Sequence, residues 1–385
     1  MRAVYHYRFF HSRRFHPQAP EPFGPDTACY DRVMGVEFPA QARETPLSSG
    51  RDKLPALALD NTVLEVNPAF DGTLPFDLRE GTRGDLALFF GEENGSDKEL
   101  GVREFHWRSG DLGKVIFRDT AGRKYRDVDL KGCGYLRQTG VESIHNPQWE
   151  QDTTSGYYGY LGLLDKDRAQ NDSYVSELLT ANGVRTHRSL AIFELKELPV
   201  SGGETLKRVP IPELREQGLL DEKYKPVIQM RAFGTKTRLG EPATAADFDD
   251  AISLIRSEGG TSPATRLEYL DWFIETLGTG IGRMHKLGYV HRYLTERNVT
   301  LDCRIVDLDA AKKAGDMPEG EWEEARRRDV AHKRHKRGGR GVVAYVAAEL
   351  GRTFRADIGY LAIEELYRRF EDVYVKESGF PFPGA

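Results

Sequence analysis

The chain predicts an α+β fold of two lobes, the first rich in strands and the second helical. Three observations carry this. At 385 residues the chain is long enough for two substructures with sizeable cores. Short β-rich runs punctuated by Gly and Pro fill the stretch up to Phe233, whereas from Ala246 onward apolar residues recur at helical steps. No period of roughly 20–50 residues repeats, which removes solenoids and propellers. The expected division is an irregular N-terminal arm over 1–60, a β-rich lobe with one helix over 61–235, and a helical lobe over 236–385.

In chain order, "DLALFFGE" (Asp85 to Glu92) and "KVIFRD" (Lys114 to Asp119) are short β-rich runs. "TAGRK" after the second is a hairpin turn into "YRDVDLKGCG". In that strand Tyr125, Val128 and Leu130 cannot share one face by strict alternation, so its register stays open. Residues 135–168, full of Gly, Tyr and Asp, read as loops near a site. "AQNDSYVSELLTAN" predicts a helix with Tyr174, Leu178 and Ala181 on its apolar stripe, closed at Asn182-Gly183 by a left-handed cap. "RSLAIFEL" and "PVIQMRAF" read as strands separated by a polar insertion of about 197–224. "FDDAISLIRSEG" and the long "TRLEYLDWFIETLGTGIGRMHKLG" read as helices. In the second, Leu267, Leu270, Phe273, Ile274, Leu277 and Ile281 recur at three- and four-residue steps. A last amphipathic helix is expected over Asp357 to Phe370, followed by an unstructured "GFPFPGA".

Composition limits the function. Charged residues at 30% and apolar residues at 39% fit a globular chain, and a net charge of −5 gives no global pull toward nucleic acid. The segment 326–340, with eight Lys or Arg, is the one hint of a polyanion or acidic partner, against the plainer reading of a solvated helix end. No run approaches the roughly 20 apolar residues that cross a bilayer, and "MRAVYHYRFFHSRRF" lacks the apolar core of a secretory signal, so a cytoplasmic protein is expected. Cys29, Cys133 and Cys303 show neither CxxC nor metal-ligand spacing, which reads as buried free thiols.

The chemistry lies in "VHRYLTERNVTLDCRIVDLD", Val290 to Asp309. A long helix, then Tyr-Val-His, an Asn, and an apolar run ending in Asp is how a protein kinase-like C-lobe presents its metal ligands. Asn298 and Asp307 are nine residues apart, which allows a tight turn at "LDCR" and brings an amide oxygen and a carboxylate to one Mg²⁺. The fold expected is therefore a protein kinase-like bilobal one, its helical lobe carrying the metal-binding loop. Tyr293 stands where a kinase keeps its catalytic aspartate, and His291 reads as a structural hydrogen-bonding residue. Lys131, ending "RDVDLK", is placed as the strand lysine that pairs nucleotide phosphates. Asp172 and Glu177 on the following helix are its candidate partners. They lie about 140° apart around the helix, so both cannot face it, and Asp172 is preferred.

Four blocks, "DTAGRKYRDVDLKGCG", "SELLTANGVRTHRSLAI", "MRAFGTKTRLG" and "HRYLTERNVTLDCRIVDLD", resemble in that order the selenoprotein-O family, kinase-fold proteins that transfer AMP rather than phosphate. The family's pair of arginines seven apart is reproduced by Arg231 and Arg238, and its Asn and Asp nine apart by Asn298 and Asp307. The likeness spans about residues 80–312. It implies an ATP bound head to tail relative to kinases, with Arg231 and Arg238 on the outer phosphates and the α-phosphorus facing the incoming hydroxyl. The family also keeps an Asp, its proton acceptor, directly before the metal-binding Asn. Here that position is Arg297, so Glu296 or Asp309 would have to substitute. The family's N-terminal "GDGRA" appears as "RGDLA", with Leu86 in place of the Arg, and its C-terminal redox residue is missing, so no redox lid is expected. The expectation is an ATP- and Mg²⁺-dependent nucleotidyltransferase acting on a protein or small-molecule hydroxyl. The alternatives are a kinase-type phosphotransferase and a nucleotide-binding pseudokinase scaffold.

Overall fold

The computed structural model describes residues 53–70, 86–91, 98–102, 108–119, 122–134, 162–201, 206–259, 263–330 and 363–383. Among the described residues its first half is a nine-stranded antiparallel sheet. The strands are β1 (Lys53–Ala58), β2 (Asn61–Val66), β3 (Leu88–Phe90), β4 (Glu99–Gly101), β5 (Ser109–Arg118), β6 (Lys124–Lys131), β7 (Leu164–Asp165), β8 (Arg188–Leu195) and β11 (Pro226–Phe233), and the hairpin of β9 (Glu197–Ser201) and β10 (Leu206–Pro210) stands apart. The sheet order is β2-β8-β11-β6-β5-β4-β1-β3, with β7 also on β11. β8 and β11 sit where the sequence places them because their eight-residue apolar runs are buried almost throughout, as central strands require. β1 corrects the expectation of an irregular arm over 1–60. Within "KLPALALD" Ala56, Leu57 and Leu59 are buried, and Pro55 lies outside the sheet's central strands. Residues 1–52 lie outside the described residues. The polar insertion is likewise structured, as β9, β10 and a short helix α2 (Ile211–Glu216) that buries Ile211 and Leu214.

Helix α1 (Lys166–Ala181) packs on this sheet. Asp165 caps its N-terminus by accepting from the Asp167 N–H, and Gly183, at φ 79°, closes its C-terminus in the left-handed conformation that lacks a Cβ penalty. The stripe expected from Tyr174, Leu178 and Ala181 is corrected. Tyr174 is 59% exposed, and the buried face is Ala169, Asp172, Ser173, Val175, Ser176 and Leu179. Polar side chains on the buried face hide its period from a hydropathy reading.

The second half is helical: α3 (Ala245–Glu258), α4 (Arg266–Lys286), α5 (Glu321–Asp329) and α6 (Ile363–Ser378), with a small β12 (Tyr289–Val290) and β13 (Lys312–Lys313) pair. α3 opens with a capping box between Thr244 and Asp247. α4 buries Leu270, Phe273, Ile274, Leu277 and Ile281 as its pattern predicts, but Leu267 is 42% exposed at the first turn. Gly278 and Gly282 let α6 approach closely. A Cβ on Gly278 would lie 3.2 Å from Val373 Cβ, and one on Gly282 would lie 3.0 Å from Glu377 Cβ. Of the helix expected over Asp357 to Phe370, residues 357–362 lie outside the described residues and α6 runs on to Ser378; the tail after it is not loose, because Phe382 packs edge-on against Tyr367, Phe370 and Tyr374.

Each half has its own apolar core. One gathers Phe89, Phe90, Tyr125, Leu130, Phe193 and Met230 under the sheet. The other gathers Phe248, Phe273, Leu277, Ile281, Leu301 and Phe370 among the helices, and α1 contributes Val175 and Leu179 to it. Each such side chain, fully buried, contributes about 1.5–3 kcal/mol. The molecule is thus a two-lobed α+β fold, with an antiparallel sheet first and helices after. No helix among the described residues is long and apolar enough to cross a membrane.

The halves meet at a buried ionic joint. Arg304, fully buried, reaches Asp302 Oδ2 (2.6 Å), Glu258 Oε1 (3.1 Å) and the carbonyls of Thr186 (3.1 Å) and Lys124 (2.9 Å), with its guanidinium 4.3 Å from the Tyr125 ring centroid. Gly234, just after β11, faces this joint. A Cβ there would lie 2.1 Å from Asp302 Oδ2 and 3.0 Å from Arg304 Nε. Gly234→Ala is therefore expected to destabilise the fold by about 2–4 kcal/mol through overpacking and displacement of a buried ion pair, read as a lower urea midpoint.

Candidate active site

The loop after α4 is held from below by Asp329 at the end of α5. Its carboxylate accepts the backbone N–H groups of His291 (2.7 Å) and Arg292 (2.9 Å). That bond fixes Arg292 at φ 74°, a conformation a non-glycine residue adopts only when its surroundings impose it. His291 Nε2 bonds the Val306 carbonyl (2.8 Å), the structural part expected of it. A 3-10 turn, Glu296–Asn298, then starts under the Thr295 side chain. Val299 and Ile305 bridge across the tight turn of Leu301–Arg304, so the spacing of nine brings Asn298 beside Asp307. Val306 N–H donates to the Asn298 carbonyl (3.0 Å), and Asn298 Nδ2 donates to the Tyr293 carbonyl (2.7 Å). Asp307 itself sits at φ 61° and ψ 52°, in the left-handed region that Asp tolerates best among charged residues.

Three cations from the first half and the crossover after it converge on Asp307. Lys131 Nζ (3.0 Å) and Arg231 Nη1 (2.8 Å) reach its Oδ1, and Arg238 Nη1 (2.8 Å) reaches its Oδ2. The same Arg238 nitrogen touches Asn298 Oδ1 (3.4 Å) and the Arg297 carbonyl (2.6 Å). So Lys131, Arg231, Arg238, Asn298 and Asp307, separated by up to 176 residues, line one place. Lys131 is 2% exposed and the Asp307 side chain 23%, which makes the carboxylate the more solvent-reachable member.

The structure rearranges the predicted partners. Lys131 pairs with Asp307 and Asp309 (3.3 Å) rather than with Asp172. Asp172 is buried against His187 Nε2 (2.7 Å) and Gln229 Nε2 (2.9 Å), and Glu177 forks onto Arg188. The physical reason is competition: two carboxylates of the Asp307–Asp309 turn face the strand lysine, while His187 and Gln229 hold Asp172 Oδ2 on the other side. Arg231 also differs from the free phosphate fork that the resemblance implies. It is fully buried and forks onto Asp129 (Nε–Oδ1 3.0 Å, Nη2–Oδ2 2.8 Å), so its reach toward a ligand is limited to Nη1. Of the proposed proton acceptors, Asp309 pairs with Lys131 and Arg108 (3.0 Å), and Glu296 is buried against Gly240.

Sequence reasoning missed Asp129, Lys236, Asp111 and Arg108. Lys236 Nζ, 1% exposed, reaches Asp111 Oδ1 (2.5 Å) and Asp129 Oδ2 (2.9 Å) and so underpins Arg231. A signal existed in "DVDLK", where alternation puts Asp127, Asp129 and Lys131 on one face of β6 and Val128 and Leu130 on the other. Both faces are buried, which resolves the register question.

The donor set fits a hard cation completed by a ligand. Asp307 Oδ2, Asn298 Oδ1 and the Arg297 carbonyl oxygen all face one nitrogen, so three oxygens converge on a single point. Mg²⁺ is commonly held by one or two carboxylates together with substrate phosphates and water, and the cations around Asp307 suit those phosphates.

No protein-family model matches the chain, and no curated protein matches it. Among solved structures, the crystal structure of the Toxoplasma gondii specific rhoptry antigen kinase domain aligns over 74% of this chain and 85% of its own, at 10% identity and a TM-score of 0.27.

The site is also an acid-sensitive part of the fold. Burial pushes the Asp129 carboxyl up, but Arg231 and Lys236 outweigh it and hold it below its ordinary value. Burial is outweighed in the same way at Asp307, which Arg238, Lys131 and Arg231 hold well below the usual range. Both groups titrate lower folded than unfolded. Their contribution to stability is therefore full above the unfolded value of about 4 and disappears as pH falls through the lowered folded values. The urea midpoint should change little through the neutral range and drop steeply below about pH 4. In Asp129→Asn, where neutral pH already lacks the charge, the acid drop should be shallower and the midpoint lower throughout.

Proposed function

We propose that this protein is an ATP- and Mg²⁺-dependent transferase that moves AMP from ATP onto a hydroxyl of a protein or small-molecule acceptor. The observation that carries the polyphosphate reading is the convergence of Lys131, Arg231 and Arg238 within 3.0 Å of Asp307. A cluster that invests three cations in one partly exposed carboxylate is suited to receive a polyanion and a metal together. The preference for AMP over phosphate rests on the resemblance of the four blocks to the selenoprotein-O family.

In this reading the acceptor oxygen attacks the α-phosphorus, the bond to the bridging oxygen breaks, and pyrophosphate leaves. Lys131 and Arg238 stabilise charge on the departing oxygens, worth about 3 kcal/mol for each well-placed donor. Arg231 keeps the cluster in place from Asp129. Asp309, paired with Lys131 and Arg108, accepts the hydroxyl proton. Mg²⁺, held by Asn298 and Asp307 when bound, supplies further neutralisation of the phosphates. Tyr293 in place of a carboxylate removes a base worth roughly 10²–10⁴ in rate, less than the electrostatic part combined.

The test is transfer of label from ATP carrying ³²P at the α or the γ position. Retention of the α label alone supports AMP transfer, and retention of the γ label alone replaces it with phosphoryl transfer. A nucleotide-binding pseudokinase is the second reading, favoured by the guanidinium of Arg238 between Asn298 and Asp307 and by Arg297 next in the chain. Thermal stabilisation by ATP that is indifferent to Mg²⁺, with neither label transferred, would favour it.

A further inference from the structure

The two arginines around Asp307 are held differently. Arg231 uses Nε, Nη1 and Nη2, four hydrogen bonds in all, and its fork on Asp129 is fully buried. Arg238 makes its three bonds through Nη1 alone, and its Nε is buried without a hydrogen-bond partner among the described residues. A guanidinium that leaves a buried donor unmatched is held less completely than one whose donors are satisfied. Its three acceptors are a carboxylate, an amide and a main-chain carbonyl, all oxygens, of the kind a hard cation takes.

We infer that Arg238 is a built-in occupant of the metal position: its Nη1 fills the oxygen cage of Asp307, Asn298 and the Arg297 carbonyl until a polyphosphate draws the guanidinium away. The inference rests on the proposed nucleotide reading and adds two things to it. The Arg297 carbonyl joins Asn298 and Asp307 as a metal ligand. Metal and polyphosphate also bind as a coupled pair, because the metal cannot enter while Arg238 is in place. Phosphate oxygens offer Arg238 a charge-assisted fork to replace the bonds it gives up. Lys131 and Arg231 remain on the opposite oxygen of Asp307 and keep the carboxylate oriented. Arg297 contributes through its main chain, so a cation at that sequence position does not bar a metal from the site.

The probe is Mn²⁺ alone, followed by the paramagnetic signal of the free ion, on the full chain. Wild type is expected to bind Mn²⁺ weakly without nucleotide and at least about tenfold more tightly with tripolyphosphate or ATP, within the usual span of coupling between two sites. Arg238→Met should bind Mn²⁺ without any phosphate, about as tightly as wild type does with it, and Arg238→Met/Asn298→Ala should lose that gain. Arg238→Gln serves in place of Met should the latter melt early. Equal Mn²⁺ affinity in wild type and Arg238→Met, or a gain that survives loss of Asn298, overturns the inference. Failure of wild type to bind any polyphosphate would sink the nucleotide reading instead. The Mn²⁺-only comparison of Arg238→Met with wild type still decides the occupant.

Discussion

Replacing Arg304 by methionine is expected to lower the stability of the chain by about 3–5 kcal/mol, read as a shift in the urea midpoint with little change in slope. Methionine keeps much of the stem and removes the charge. Asp302, fully buried, then loses its closest charged partner at 2.6 Å and keeps Thr300 Oγ1 at 2.6 Å and the weaker Arg185 contact at 3.4 Å. Two carbonyls, of Thr186 and Lys124, lose their donors at the same time. The loss does not stay local. Arg304 ends the turn that separates Asn298 from Asp307, so the variant should also weaken Mn²⁺–ATP binding by more than global unfolding explains. The double variant Arg304→Met/Asp302→Asn should recover part of the stability, because it removes the stranded charge along with its partner. No recovery would mean that the packing over Tyr125 matters more than the ion pair.

Asp307→Asn should abolish transfer to background, a loss of at least about 10²–10³ in rate. Its effect on ligand binding is the more specific prediction. Asn keeps the size of the side chain and removes the one negative group that Lys131, Arg231 and Arg238 share. Arg238 then loses its carboxylate, while Lys131 keeps Asp309 and Arg231 keeps Asp129, so the cluster meets an anion with one negative group fewer. Metal-free tripolyphosphate should therefore bind more tightly to Asp307→Asn than to wild type, while the dependence of that binding on Mg²⁺ disappears. The free variant should be less stable than wild type near neutral pH and should regain much of the difference when the anion is added. Weaker anion binding than wild type would show that Asp307 orders the cations more than it competes with the phosphates.

The sequence was informative where packing is simple. β8, β11 and α4 are recognised because their burial follows apolar runs of the right period. It was poor where charge is buried. α1 turns Asp172, Ser173 and Ser176 inward, so its buried stripe does not look apolar, and Tyr174 on the outside does. β1 and the β9–β10 hairpin are short elements in Pro- and charge-rich stretches, whose strand character comes from their neighbours. In the site, Arg231 and Arg238 both reach Asp307, and Arg238 also reaches Asn298. Which carboxylate meets which cation could not be read, since Asp129, Lys236, Arg304 and Asp329 look in a sequence like ordinary surface charges. Only the alternation in β6 marks Asp129, and nothing local marks Asp329, which sits at the edge of the basic segment. Arg326 of that segment is buried against Tyr374, and Arg327 and Arg328 pair with Glu324. Residues 331–340 lie outside the described residues.

The most direct test of the central claim is a crystal structure with Mg²⁺ and an ATP analogue that cannot be cleaved between its α- and β-phosphates. The expected result is a triphosphate in the cleft with Lys131 and Arg238 on its oxygens, the metal between Asn298 and Asp307, and the α-phosphorus toward the open side. An analogue bound elsewhere, or a cleft in which Arg238 still spans Asn298 and Asp307 at saturating nucleotide and metal, would contradict it.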